Sequence, residues 1–216
     1  MRTARDVLLF IPNLIGYSRV IFTLASFFSM VYDGEKVILG LSLYIASFVG
    51  DLFDGIAARK FNQCSKFGGM LDMVTDRTST AGLIAVLTTK TTNQHLHITL
   101  VLLLVLDISS HWAQMVYANT SKVHHKEMEG TLFLVRLFYS NYPFFGYLCV
   151  GAELTYVALY MLLVSKDEFL KSVATALLYV CVPACAMKQI VNVAQLSGAC
   201  WGVAACDADN YNKEKK

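Results

Sequence analysis

Asp51 and Asp54 stand three residues apart, and Asp72 and Asp76 stand four apart. Residues at those spacings share one face of a helix, so the chain holds two paired-acid faces, and the turn at 59–68 brings them together. Four carboxylates in a small volume repel one another unless cations neutralise them. Hard divalent ions with oxygen ligands, Mg²⁺ or Mn²⁺, suit such a set, and Ca²⁺ would accept the same oxygens. Two ions about 3.5–4 Å apart are the recurring device for in-line phosphoryl displacement, which makes phosphoryl transfer the chemistry to expect.

The residues between the acids fit that chemistry. Gly55 follows Asp54 directly, and Gly68 precedes Asp72 by one turn. A side chain at either place would block a ligand, and close backbone approach is the usual use of such glycines. Arg59, one turn beyond Gly55, can set a guanidinium fork on a phosphate, and Ser65 adds a hydroxyl in the turn. Taken singly, Arg59 reads as a helix-end cation snorkelling to the interface, and each glycine as a helix-packing residue. Together they do not, because packing has no use for four acids within apolar helices, where each costs about 2.5 kcal/mol or more on insertion scales.

The elements that must position these residues are membrane helices. Of 216 residues, 56% are hydrophobic and 16% charged, and the mean hydropathy is +0.50, well outside the usual soluble composition. A bilayer core needs roughly 20 apolar residues per span, and the stretches 8–31, 36–58, 69–89, 95–118, 142–164 and 170–197 qualify. The expected fold class is all-α and polytopic, with six transmembrane helices and a short N-terminal amphipathic segment over 2–11, set off by Pro12. The charged start and apolar run resemble a signal sequence, but Pro12, Asn13 and Arg19 interrupt the run and no small-residue cleavage site follows, so it reads as a retained helix. No repeat or linker divides 1–206, which reads as a single membrane domain. The polar stretch 207–216 reads as a disordered cytosolic tail.

A formal net charge of +2, with no basic run interleaved with aromatics, argues against nucleic-acid binding. Charge position is more informative. With six spans both termini share a side, and that side collects Arg2, Arg5, Arg59, Lys60, Lys66, Lys122, Lys126, Lys213, Lys215 and Lys216, against Lys36, Lys90, Lys166 and Lys171 opposite. The positive-inside rule assigns the richer side to the cytosol. The 59–68 turn then faces the cytosol, as does the polar segment 119–141 with His124 and His125, and the sequon at Asn119 stays unmodified. Cys64, Cys149, Cys181, Cys185, Cys200 and Cys206 show no zinc or redox spacing and read as packed or free thiols.

Residues 51–76, DLFDGIAARKFNQCSKFGGMLDMVTD, resemble the signature of the CDP-alcohol phosphotransferase family, D-x2-D-G-x2-A-R-x8-G-x3-D-x3-D, at every defined position. PNLIGYSR at 12–19, AARKFNQCSKFGGMLDMVTDR at 57–77 and LDISSHW at 106–112 extend the resemblance over nearly the whole chain, toward that family's eukaryotic phosphatidylinositol synthases. Serine stands at 65 where threonine is expected, which preserves the hydroxyl. The resemblance implies six membrane helices, a homodimer, and a metal site that opens to the cytosol from the endoplasmic reticulum membrane. It implies transfer of a phosphatidyl group from CDP-diacylglycerol to myo-inositol, with release of CMP. It also implies Asp51, Asp54, Asp72 and Asp76 as metal ligands, Asp76 as proton acceptor, and Gly55, Arg59, Ser65 and Asn13 as contacts of the CDP-diacylglycerol head group. Asn13 reads equally well as an interhelical hydrogen-bonder.

Arg136 and Lys188 are candidates for the inositol side, with pairing to Glu153 or Asp107 an equally good account. His111 and Trp112 read as interhelical packing or an interface anchor. The same acids would serve a transferase acting on serine, glycerol phosphate, choline or ethanolamine. A cation transporter would explain the four aspartates but not the framework of Gly55, Arg59 and Gly68, and a structural membrane protein explains none of the acids.

Overall fold

The computed structural model describes residues 2–32, 37–121 and 141–214, so Arg136 and the basic residues at 122–126 lie outside the described residues. Among the described residues all regular structure is helical: α1 (Ala4–Leu8), α2 (Ile11–Tyr32), α3 (Val37–Lys60), α4 (Lys66–Lys90), α5 (Gln94–Ser121), α6 (Tyr142–Val164) and α7 (Glu168–Glu214). The chain divides into two compact units, Met1–Thr91 with Tyr160–Lys171, and Thr92–Leu159 with Ser172–Lys216.

In the first unit, α1 is held by a capping box in which Thr3 Oγ1 accepts from the Asp6 N–H and Asp6 Oδ2 accepts from the Thr3 N–H. Pro12 then sits in the first turn of α2, where its missing N–H is not needed. α2 turns Ile21, Leu24 and Phe28 outward while burying Asn13, Arg19, Thr23 and Ser26. Apolar residues outside and polar residues inside are the pattern that lipid demands. Among the described residues five helices, α2, α3 and most of α5, α6 and α7, are long and apolar enough to cross a membrane. The expected span at 69–89 is not among them. It lies in α4, 25 residues long, but Lys66, Asp72, Asp76, Arg77 and Lys90 remove its apolar signature.

α2 packs against both α3 and α4 through small and hydroxyl-bearing residues, as membrane helices do. Thr23 Oγ1 lies 2.8 Å from Ser47 Oγ and 3.1 Å from Ser79 Oγ, and Ser26 Oγ donates to the Gly40 carbonyl at 2.8 Å. Leu83, Ile84 and Leu87 of α4 are fully buried.

In the second unit, Leu148, Ala184 and Val191 form one buried apolar cluster, and Gly151 lets α6 approach α7 so closely that a Cβ there would lie 2.5 Å from that of Ala184. At 47 residues α7 is far longer than the stretch 170–197 read from hydropathy. The polar residues 207–214, read from composition as a disordered tail, continue it as helix to Glu214. Gly198 and Gly202 lie within it, and isolated glycines are tolerated in a helix. The six cysteines form no disulfide, and Cys181 and Cys185 are buried.

A methyl group added at residue 82 would meet the Phe27 ring at 2.2 Å. Overpacking costs about 1–3 kcal/mol, at least offsetting the roughly 1 kcal/mol that alanine gains over glycine in helix propensity. Gly82→Ala should therefore lower the thermal unfolding midpoint in detergent. A raised midpoint would mean that α2 and α4 do not cross there.

Candidate active site

α3 ends and α4 begins within the five residues 61–65, and each contributes to the turn. Asn62 adopts φ 53°, a left-handed conformation that asparagine tolerates. The Gln63 N–H donates to the Ala58 carbonyl at 2.9 Å and the Asn62 N–H to the Arg59 carbonyl at 3.3 Å, the paired bonds of a Schellman helix end. Ser65 then N-caps α4, its Oγ accepting from the Gly68 N–H at 3.0 Å. Gln63 Oε1 accepts from the Ile11 N–H at 2.9 Å, satisfying one of the donors that the first turn of α2 leaves open. Three helices are thereby joined at one end, and the acids lie within a few turns of it.

The two acid faces converge as their spacing requires. Oxygens of Asp51, Asp72 and Asp76 all lie within 4.8 Å of one another. Arg19 of α2 enters the same cluster. Its Nη1 lies 3.0 Å from Asp51 Oδ1, 2.6 Å from Asp54 Oδ2 and 2.9 Å from Asp72 Oδ1, and its Nη2 donates to Asp76 Oδ1. The guanidinium is closed off, at 3% exposed, while the Asp51 and Asp72 side chains are 36% and 46% exposed. Three carboxylates with partly open oxygens and close mutual approach fit one hard divalent cation.

Beside the acids is a cavity of about 230 Å³ lined by Asn13, Gly16, Asp54, Gly55, Gln63, Cys64, Ser65, Gly68, Gly69 and Asp72, among others. Its size suits a polar head group rather than a whole lipid, since pockets for drug-sized ligands begin at roughly 300 Å³. A Cβ at Gly69 would meet nothing within 4 Å, and one at Gly55 would meet only the Arg59 guanidinium, at 3.6 Å. Bare backbone therefore faces the cavity at both places. A Cβ at Gly68 would lie 3.0 Å from Asn13 Oδ1 and 3.2 Å from Ser65 Oγ, so this glycine serves close packing as well.

The structure brings Asp51, Asp54, Asp72, Asp76, Gly55, Ser65 and Asn13 to one place, with exposed Arg59 next to Gly55. Asn13 also has a structural task, its Nδ2 donating to the Val7 carbonyl at 2.5 Å. Lys188 belongs to the second unit, where its Nζ donates to Asn192 Oδ1 at 2.6 Å. His111 turns back on its own helix, with Nδ1 2.8 Å from the Asp107 carbonyl oxygen, and Trp112 is exposed. Reasoning from sequence missed Arg19, Gln63 and Gly69. Arg19 carried a usable signal, an arginine within an apolar helix, whereas nothing local marks the other two.

A family model described as CDP-alcohol phosphatidyltransferase matches residues 9–204. The chain is 39% identical to a probable CDP-diacylglycerol–inositol 3-phosphatidyltransferase 2 of Arabidopsis thaliana, over 97% of this chain and 96% of the relative. It is 39% identical to the CDP-diacylglycerol–inositol 3-phosphatidyltransferase of Saccharomyces cerevisiae, over 99% and 94%, and 35% identical to that of Homo sapiens, over 97% and 98%. No solved structure matches the chain significantly.

Ser65 anchors the first turn of α4 through one hydroxyl, so Ser65→Ala should open that turn while Ser65→Thr keeps it closed. Losing an N-cap costs about 1 kcal/mol, equivalent to roughly fivefold faster amide exchange at Gly68 by hydrogen–deuterium exchange. Equal exchange in the alanine and threonine variants would remove the capping role.

Proposed function

The chain belongs to the CDP-alcohol phosphatidyltransferase family, and from that premise we propose that it transfers the phosphatidyl group of CDP-diacylglycerol to myo-inositol, giving phosphatidylinositol and CMP. Similarity over nearly the full length to enzymes named for inositol carries the choice of acceptor. The convergence of four aspartates beside a head-group cavity supports the chemistry.

Asp51, Asp54, Asp72 and Asp76 would hold Mg²⁺ or Mn²⁺, two ions in all, which when bound would neutralise charge on the diphosphate. Gly55 and Gly69 leave room for the head group along bare backbone, with Asn13 and the Ser65 hydroxyl on the cavity wall. Arg59 sets its guanidinium on a phosphate at the mouth. The oxygen of an inositol hydroxyl bonds to the phosphorus that carries diacylglycerol. The bond from that phosphorus to the bridging oxygen breaks, and CMP leaves with the electron pair. Asp76, partly exposed within the cluster, accepts the hydroxyl proton. Positioning and fixed charge supply most of the rate in reactions of this class.

We place the protein in the endoplasmic reticulum membrane as a homodimer with six spans, α4 being the sixth, and with residues 1–206 acting as one catalytic domain. A family match across 9–204 supports the single domain. Ten basic residues against four support a cytosolic position for both termini and for the 61–65 turn. Lipid tails then stay in the bilayer while nucleotide and inositol enter from water.

Purified protein given CDP-diacylglycerol and one alcohol at a time should release CMP with myo-inositol, lose this activity on chelation and regain it with Mg²⁺ or Mn²⁺. Release with serine or glycerol phosphate in place of inositol would refute the acceptor. Asp76→Asn should still bind donor while turnover falls about 10²- to 10⁴-fold, the usual worth of general-base assistance. Near-normal turnover would move the base elsewhere.

A further inference from the structure

Arg19 lies within an apolar helix and is 3% exposed, a place where a charged side chain is expensive and is retained for a partner or a task. The chain builds a seat for it. A Cβ at residue 50 of α3 would lie 2.8 Å from Arg19 Cγ, so Gly50 forms a notch for the stem. Arg19 Nε donates to the Ser47 carbonyl at 3.2 Å, and Ser47 Oγ donates to the Arg19 carbonyl at 3.0 Å. These contacts fix the stem independently of the acids, and they deliver the guanidinium to all four carboxylates. The head group cannot satisfy them. Nη1 has two hydrogens for the three oxygens around it, and four formal negative charges face only Arg19 and, 4.0 Å from Asp76 Oδ2, the more peripheral Arg77.

We propose that Arg19 is the resident counter-cation of the carboxylate cluster, a positioning residue that gathers the four aspartates and competes with divalent ions for their oxygens. This rests on the metal-binding reading given above. Arg19 lowers the repulsion among the acids in the ion-free protein, so the ligand set is assembled before an ion arrives. The arriving ion then meets a fixed positive charge a few ångström away, and like charges at that range repel strongly in a low-dielectric site. Removing Arg19 must therefore act in opposite directions, weakening the ion-free fold and tightening ion binding. A residue that only packs would change stability alike with and without the ion and leave affinity alone.

The test uses full-length protein in nanodiscs, with Mn²⁺ binding read by electron paramagnetic resonance and unfolding midpoints taken in chelator and in saturating Mn²⁺. Breaking a buried charge cluster should lower the midpoint of Arg19→Met by roughly 6 °C or more in chelator, and Mn²⁺ should largely close the gap to the parent protein. Its Mn²⁺ dissociation constant should fall by about tenfold or more. Arg19→Lys, which keeps the charge but reaches fewer oxygens, should fall between. Gly50→Ala, which displaces the stem while leaving the guanidinium present, should shift both readings the same way, and it decides the matter if Arg19→Met does not fold. An equal loss of midpoint with and without Mn²⁺, or weaker Mn²⁺ binding in the variants, would overturn the proposal while the metal site stands. Absence of Mn²⁺ binding in the parent protein would overturn both.

Discussion

A charge held inside a bilayer must find an opposite charge within reach, and that constraint governs how α2, α3 and α4 are arranged. Arg19 on one helix and four aspartates on two others answer one another at 3.0 Å or less. Separating them would strand the buried guanidinium without a counter-charge, at several kcal/mol. The remaining features of the first unit serve this meeting. Gly50 admits the arginine stem, Gly82 lets the Phe27 ring lie against α4, and the 61–65 turn brings both acid faces to one side.

The same arrangement has a chemical use. Four carboxylates beside the guanidinium of Arg19, with Arg77 reaching only Asp76, retain unspent negative charge, and the Asp51, Asp72 and Asp76 side chains remain partly open. Next to them Gly55 and Gly69 present bare backbone to a cavity sized for a head group. An anionic ligand set beside an open cavity is what a diphosphate with its counter-ions requires, and the apolar outer faces of the helices leave the lipid tails in lipid.

How much of this was legible in the sequence follows from energetics. The four aspartates announced themselves because intramembrane acids are costly at any spacing, and the spacings of three and four gave their common faces. Arg19 obeyed the same rule but was read only as an interruption of an apolar run, since its partners lie 32 to 57 residues away and no local pattern points to them. The helix-end turn depends on a left-handed Asn62 and a tertiary bond from Gln63 to Ile11, which pairwise propensity does not reveal. Hydropathy also misjudged lengths. The acids that make the site depress the apolar signature of α4, and α7 continues for seventeen residues past 197 because polar composition does not by itself end a helix.

Whether the carboxylate cluster holds a divalent cation against the diphosphate of a CDP-linked lipid is tested directly by electron–nuclear double resonance on Mn²⁺-loaded protein with CDP-diacylglycerol. Coupling of the manganese spin to ³¹P of the donor should appear and should vanish in Asp72→Asn. Manganese bound to the protein with no ³¹P coupling, or coupling unaffected by that replacement, would contradict the account.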